Sequence, residues 1–165
     1  MPLSFALTHN DVRLRIVRIK DAKALEKLVL GNREWLRPWE ATNPDGPTSF
    51  DIRAQIRGLL KQMDNQTGLP FVIEIDGELV GFAHLRRHSD TFTGGPAWFL
   101  DDLFTAPAAR GHGVATALIA ALRAHADANG GGTISWITAD DNLTAQRVYD
   151  KVATRTRWVT YELDS

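Results

Sequence analysis

Cysteine is absent from the 165 residues, which excludes disulfides, a thiolate nucleophile and any thiolate metal site. No apolar run approaches the roughly 20 residues that a membrane-spanning helix needs. The N-terminal MPLSFALTHND lacks a basic start followed by a sustained apolar core. An excess of one charge is missing too: 19 Lys and Arg against 20 Asp and Glu leave a net charge of −1, with no basic face for nucleic acid. The five histidines fall nowhere at metal-ligand spacing, and no G-x-S-x-G elbow supports a serine nucleophile. The expectation is a cytoplasmic protein with no metal and with neither membrane nor nucleic acid as partner. At 44% hydrophobic and 24% charged residues the composition is globular, and the length fits one domain over residues 1–165.

What is present is periodic. Val12, Leu14 and Ile16 alternate with Arg13 and Arg15, the period of a half-buried strand, expected over about 12–19. Asp21 is placed to cap a helix in which Leu25, Leu28 and Val29 share a face and which ends near Gly31. NREWLRPWE and the turn-rich NPDGPTS follow, an aromatic loop whose Trp35 and Trp39 either plug the core edge or line a groove. Thr48 or Ser49 caps a second helix, with Ile52, Ile56, Leu59, Leu60 and Met63 at helical spacing. Phe71, Ile73 and Ile75 then alternate, Asp76-Gly77 turns the chain, and Leu79 to Leu85 returns as a hairpin. Further strands are expected from Trp98, over Thr133–Thr138 and over Arg157–Leu163, with helices from Val114 and from Asn142. The order β-α-α-β-β-β-α-β-α-β predicts an α/β fold, a mixed sheet covered by helices on both faces.

The densest stretch is WFLDDLFTAPAARGHGVATALIAAL, Trp98 to Leu122. It reads as an apolar strand carrying Asp101 and Asp102, a turn of small residues, and a helix striped by Val114, Leu118, Ala121, Leu122 and His125. Such a turn leaves main-chain N–H groups pointing outward with the positive end of the helix dipole behind them, which makes an anion site. A phosphate-bearing ligand is the first expectation. A dinucleotide fingerprint would need a third Gly where Thr116 stands, and no Walker lysine follows. Consecutive Asp101 and Asp102 face opposite sides of a strand unless a bulge intervenes. Burying two carboxylates is costly, so at least one should face a wet cleft. Asn142 and Tyr149 lie two turns apart on one helix, though Tyr149 also shares an apolar stripe with Ala145, Val148 and Val152 and could serve only the core. Arg86, Arg87 and Arg123 read as solvated, and His84 and His125 as strand and helix residues without a shared task.

The turn resembles the pyrophosphate motif of the GNAT superfamily of N-acetyltransferases. Its Arg/Gln-x-x-Gly-x-Gly/Ala stands here as Arg110, Gly113 and Ala115, and its Asn-x-x-Ala-x-x-x-Tyr as Asn142, Ala145 and Tyr149. The resemblance implies a three-layer αβα fold with a mixed, mostly antiparallel sheet, and acetyl-CoA as co-substrate. It implies that Arg110, Gly111, His112, Gly113, Val114, Ala115 and Thr116 hold the pyrophosphate and that the backbone of Leu103, Phe104 and Thr105 pairs with the pantetheine arm. Asn142 joins the coenzyme site, and the Tyr149 hydroxyl lies near the thioester sulfur as general acid.

FLDDLFTAP further resembles a strand of diamine N-acetyltransferases, whose acidic residue at the place of Asp101 handles the amine proton while the next one positions it. Asp stands where that group has Glu, and the shorter arm favours a water relay. Residues 11–82 are more similar to ribosomal-protein N-terminal acetyltransferases and residues 82–165 to the diamine branch, so a mosaic chain, natural or constructed, is an expectation. One strand follows the tyrosine helix where many relatives have a hairpin, and relatives often form homodimers. The reading is direct attack of a primary amine on the thioester, with a small amine or polyamine as the leading acceptor. The N-terminal amine of a protein is the alternative acceptor, and a catalytically silent acyl-CoA-binding domain is the rival of another class.

Overall fold

The computed structural model describes residues 6–9 as backbone, and residues 11–36 and 51–163 in full. Six strands lie side by side in sequence order: β1 (Ala6–His9), β2 (Val12–Ile16), β3 (Gly68–Ile75), β4 (Glu78–Ser89), β5 (Pro96–Thr105) and β6 (Ile134–Ser135). All neighbours are antiparallel except β5 and β6. The sheet is therefore mixed and mostly antiparallel. The helices are α1 (Ala22–Gly31), α2 (Arg33–Leu36), α3 (Ile52–Asp64), α4 (Val114–Ala128) and α5 (Leu143–Val152).

β3 is buried on both faces because successive side chains alternate between them. Val72 joins Val17, Leu25, Ile52 and Ile56 beneath α1 and α3. Phe71 and Ile73 join Leu85, Trp98, Leu118 and Leu122 beneath α4. Two cores on opposite faces give helix, sheet and helix in three layers. The β3–β4 hairpin turns at Asp76 (φ 51°) and Gly77 (φ 80°), the doubly positive geometry that Asp-Gly favours.

Several expected boundaries move. β2 stops at Ile16 rather than near residue 19, and β1 pairs antiparallel with it. The chain then coils once over Ile19–Asp21, where Asp21 Oδ2 accepts the Arg18 N–H at 2.7 Å. Asp21 does not cap α1 with its side chain; both its oxygens go to Arg15, at 2.7 and 2.9 Å. Arg15 in turn donates to Glu74 at 2.6 and 2.9 Å, so the alternation that set it on a solvent face is overridden by a buried ion cluster. Asp51 caps α3, its Oδ1 accepting the Ala54 N–H at 3.0 Å; Thr48, Ser49, Pro38 and Trp39 lie outside the described residues. The strand expected over 133–138 pairs only at Ile134–Ser135. Arg157–Leu163 forms no strand: residues 153–163 belong to no helix or strand and are exposed.

Candidate active site

The short life of β6 creates the site. β5 and β6 pair only through Trp98 with Ile134 and Phe99 with Ser135. Beyond that point they part and leave a cleft of about 690 Å³. Leu100 to Phe104 form one wall, Trp136 to Ala139 the other, with Asn142 and Tyr149 of α5 closing one side and Trp35 of α2 another. Trp35 thus lines the groove, and its ring lies 5.3 Å from that of Phe104.

A bulge decides where the aspartates go. His84 on β4 stands opposite Asp102, and the next residue, Leu85, stands opposite Leu100, so Asp101 is an extra residue on β5. An extra residue locally re-aims the strand, and both carboxylates line the cleft. Asp101 takes a two-point contact from Arg86, Nε to Oδ2 at 3.0 Å and NH2 to Oδ1 at 3.2 Å. His84 Nδ1 stands 3.6 Å from the same carboxylate. Asp102 has no ion pair among the described residues. Burial in the cleft pushes its pKa up, His84 works against that, and the neighbouring Asp101 adds to it.

His84 and Arg86 were not legible as site residues. Burial drives the His84 pKa down, outweighing the two aspartates that would raise it, so the ring is neutral at physiological pH. Its Nε2 has no hydrogen-bond partner among the described residues. Arg86, expected to be solvated, is fixed by Asp101 and stacks 5.4 Å from the Phe99 ring centroid. Their spacing of two on β4 was the available signal, since it places them on one face. Only the bulge turns that face toward the aspartates.

Tyr149 stands edge-on to Trp136, with ring centroids 5.4 Å apart at 72°. Burial raises its pKa, which keeps the phenol protonated. Asn142 ties α5 to the opposite wall: its Oδ1 accepts the Ala145 N–H at 3.4 Å and its Nδ2 donates to Thr138 Oγ1 at 3.3 Å.

The cleft gathers Asp101, Asp102, Leu103, Phe104, Asn142 and Tyr149, whereas Thr105 and residues 110–116 lie outside it, farther along β5 and at the head of α4. There Gly111 (φ 83°) and Gly113 (φ 72°) are left-handed, with nothing within 4 Å of where a Cβ would stand. Gly113 begins α4 without a side-chain cap. The first bond into the helix runs from the Ala117 N–H to the Gly113 carbonyl at 2.9 Å, so the N–H groups of residues 113–116 have no acceptor within the helix. Val114 is buried, while His112 and Thr116 are exposed. Arg110 turns back: its Nε donates to the Thr105 carbonyl at 3.1 Å and its guanidinium lies 4.6 Å from the Trp35 ring centroid. Among the described residues no group of three or more His, Cys, Asp or Glu could hold a metal ion, and no helix is long and apolar enough to cross a membrane.

Comparison with known proteins gives the family and the fold. Residues 32–153 match the profile described as the Acetyltransferase (GNAT) family. The D-amino-acid N-acetyltransferase HPA3 of Saccharomyces cerevisiae is 26% identical over 159 residues, covering 94% of this chain and 92% of its own. The crystal structure of ribosomal-protein-alanine N-acetyltransferase from Brucella melitensis superposes with a TM-score of 0.72 at 19% identity, over 94% of this chain and 100% of that one. The aminoglycoside acetyltransferase meta-AAC0020 from an uncultured soil metagenomic sample, in complex with sisomicin, superposes at 0.70 with 16% identity, over 94% and 97%. A cleft between parted strands, an uncapped helix start beside it and a profile spanning most of the sequence lead to one conclusion: the chain belongs to the GNAT family and is an acetyl-CoA-dependent N-acetyltransferase.

Proposed function

We propose that the enzyme acetylates a primary amine of a small molecule, with amines that carry a second positive charge favoured. One observation carries the reading: the bulge at Asp101 brings two carboxylates into the cleft that Tyr149 also lines. The head of α4 suits the diphosphate of acetyl-CoA, since four main-chain N–H groups lack helical acceptors, both glycines stand in open space and the helix dipole adds its positive end. Residues 110–116 would hold that diphosphate. β5 leads from there into the cleft, and its edge facing away from β4 has no strand partner past Phe99 among the described residues. Asn142 stands where α5 enters the cleft.

Bound there, acetyl-CoA supplies the acetyl group as a thioester. The charged amine is drawn to the acidic wall. Asp101, contacted at both oxygens by Arg86, anchors it, and Asp102, without an ion pair among the described residues and with a raised pKa, accepts its proton directly or through a water. The amine nitrogen bonds to the acetyl carbon, the carbon–sulfur bond breaks with its electrons on sulfur, and the Tyr149 phenol gives that sulfur its proton; the second proton leaving the nitrogen passes through water to restore the phenol, and the proton on Asp102 goes to solvent. The raised pKa of Tyr149 suits an acid that must arrive protonated.

The acceptor class draws support from the name of HPA3, which acts on D-amino acids, and from the sisomicin complex of the aminoglycoside enzyme. The N-terminal amine of a protein is the second reading, favoured by the superposition on the Brucella enzyme. The test mixes protein, acetyl-CoA and a thiol reagent with diamines, polyamines, amino acids and short peptides. Faster CoA release with the small amines is expected. Faster release with the peptides would transfer the reading to protein N-termini, and acetyl-CoA binding without turnover on any amine would leave a silent binding domain.

A further inference from the structure

His84 is a buried polar group in the cleft to which the transfer chemistry gives no task. Its side chain is 14% exposed, it lines the cleft, and its two ring nitrogens meet different surroundings. Nε2 is buried and has no partner among the described residues. It lies 2.8 Å from the point where a Gly68 Cβ would stand, and Gln62 Oε1 lies 3.0 Å from the same point. Glycine at position 68 lets the ring rest against β3. Nδ1 is the nitrogen turned to Asp101, and its 3.6 Å separation from Oδ2 is too long for a hydrogen bond.

A neutral imidazole has one N–H and one lone pair. A buried donor left unpaired is costly, and the neighbouring Gln62 Oε1 is an acceptor, which suits a proton on Nε2. That tautomer leaves the Nδ1 lone pair facing a carboxylate oxygen, two acceptors with no proton between them. Asp102 stands opposite His84 across the β4–β5 pair and lines the same cleft, so a third acceptor joins them. Both Asp101 oxygens already accept from Arg86, but a carboxylate oxygen has a second lone pair to offer. We infer that His84 Nδ1, Asp101 and Asp102 form a three-acceptor cradle for the three N–H donors of a primary ammonium, which selects primary amines over their N-methylated forms. A secondary ammonium has only two N–H groups and leaves one acceptor unmatched. The charged groups acting on the ring are Asp101 and Asp102 from β5 and Arg86 from its own strand; burial outweighs the carboxylates and keeps the ring neutral. The inference rests on the cleft being the amine site and gives that site its selectivity. When Asp102 takes one proton, the N–H bond breaks with its electrons on nitrogen, and His84 and Asp101 still hold the other two N–H groups.

Nitrogen NMR of the full chain reads the tautomer without reference to turnover, the His84 signals being assigned by their loss in His84→Asn. The proton is expected on Nε2, and the Nδ1 resonance is expected to shift when 1,4-diaminobutane or a short alanyl peptide is added. A proton on Nδ1, or an Nδ1 resonance that neither probe moves, overturns the cradle. Rates test the selectivity, each probe being set against its N-methylated form. Whichever probe is acetylated, the wild type should prefer the unmethylated form at least tenfold. His84→Leu should lose about tenfold in kcat/KM on that form, the order expected for a hydrogen bond to a charged group, and little on the methylated one. His84→Asn, whose Oδ1 can accept near the place of Nδ1, should recover part of the preference. Equal losses on both forms would make His84 a packing residue and overturn the inference. Turnover of the peptide alone would change the acceptor class and leave the cradle standing, since that amine is also primary. Absence of turnover on every amine would overturn the reading of the cleft, while the tautomer and its response to the probes still decide the cradle.

Discussion

Two arginine–carboxylate clusters sit at two bulges of the same sheet, and they differ in almost everything except residue type. At the closed end, Arg15 lies between Asp21 and Glu74 beside the register shift at Ile73/Glu74, and its side chain is 8% exposed. At the open end, Arg86 contacts the bulged Asp101 with side chains 50% and 30% exposed. The first cluster is saturated: four hydrogen bonds from the guanidinium meet two carboxylates. The second leaves one carboxylate, Asp102, facing a cleft with no ion pair among the described residues. Charge that is fully matched holds structure, and charge left partly unmatched beside water is available for chemistry.

Breaking the closed cluster should have the largest effect. Arg15→Ala strands two buried carboxylates and is expected to cost about 3–5 kcal/mol of stability, read from urea midpoints. Arg15→Lys should restore little, since a single ammonium cannot reproduce the fork. The pH dependence has a definite sign. Burial would raise the Asp21 pKa, but hydrogen bonds from Arg15 and from the Arg18 N–H outweigh it and hold the group below its ordinary value. Its contribution is complete above the unfolded carboxylate value of about 3.9 and fades as pH falls through the lower folded one. Wild-type stability should fall in that acid window, and the Arg15→Ala protein should lose much of that slope.

These clusters also mark what the sequence made legible. The α4 turn was readable because backbone chemistry leaves a trace in composition: small residues are required at Gly111 and Gly113, and little else is. The helices were readable from their stripes, and α4 and α5 begin where expected, at Val114 and just after the capping Asn142. Arg15 was misread because alternation shows which face a side chain takes, not what covers that face. Asp21 and Glu74 come to it from 6 and 59 residues away. The Asp101 bulge was conditional for a similar reason, since two like residues in succession say nothing about register. In the tail, the alternation of 157–163 predicted a strand and none forms, because a period of two does not supply an edge to pair with.

At the open end the effects should appear in rate rather than stability. Tyr149→Phe removes the proton donor while keeping the edge contact with Trp136. A fall in kcat of about 10²-fold is expected, about 2.7 kcal/mol on the barrier, with acetyl-CoA affinity nearly unchanged by calorimetry. Equal losses in both would make the ring structural. Asp102→Asn should act more mildly, about tenfold on kcat/KM, where a water can partly replace the acceptor. It should also change the profile. Asp102 must be ionised to take a proton and its pKa is raised, chiefly by burial, so wild-type kcat/KM should decline as pH falls through a value above the ordinary carboxylate range. That limb should vanish in the variant.

The smallest expected effect is the sharpest test of the contrast. Arg86→Ala removes a contact with the same pairing chemistry as Arg15's, but both partners are open to solvent, so the stability change should stay under about 1 kcal/mol. Its consequence should fall on titration. Without the guanidinium, Asp101 and Asp102 face each other with only His84 to moderate them, and His84 is held neutral by burial. Adjacent carboxylates disfavour a second negative charge, so the acid limb of kcat/KM should move to higher pH, and Arg86→Lys should move it back part of the way. A thermal midpoint lowered as far as in Arg15→Ala would mean that the open cluster also holds the sheet together, and the division of labour between the two would be wrong.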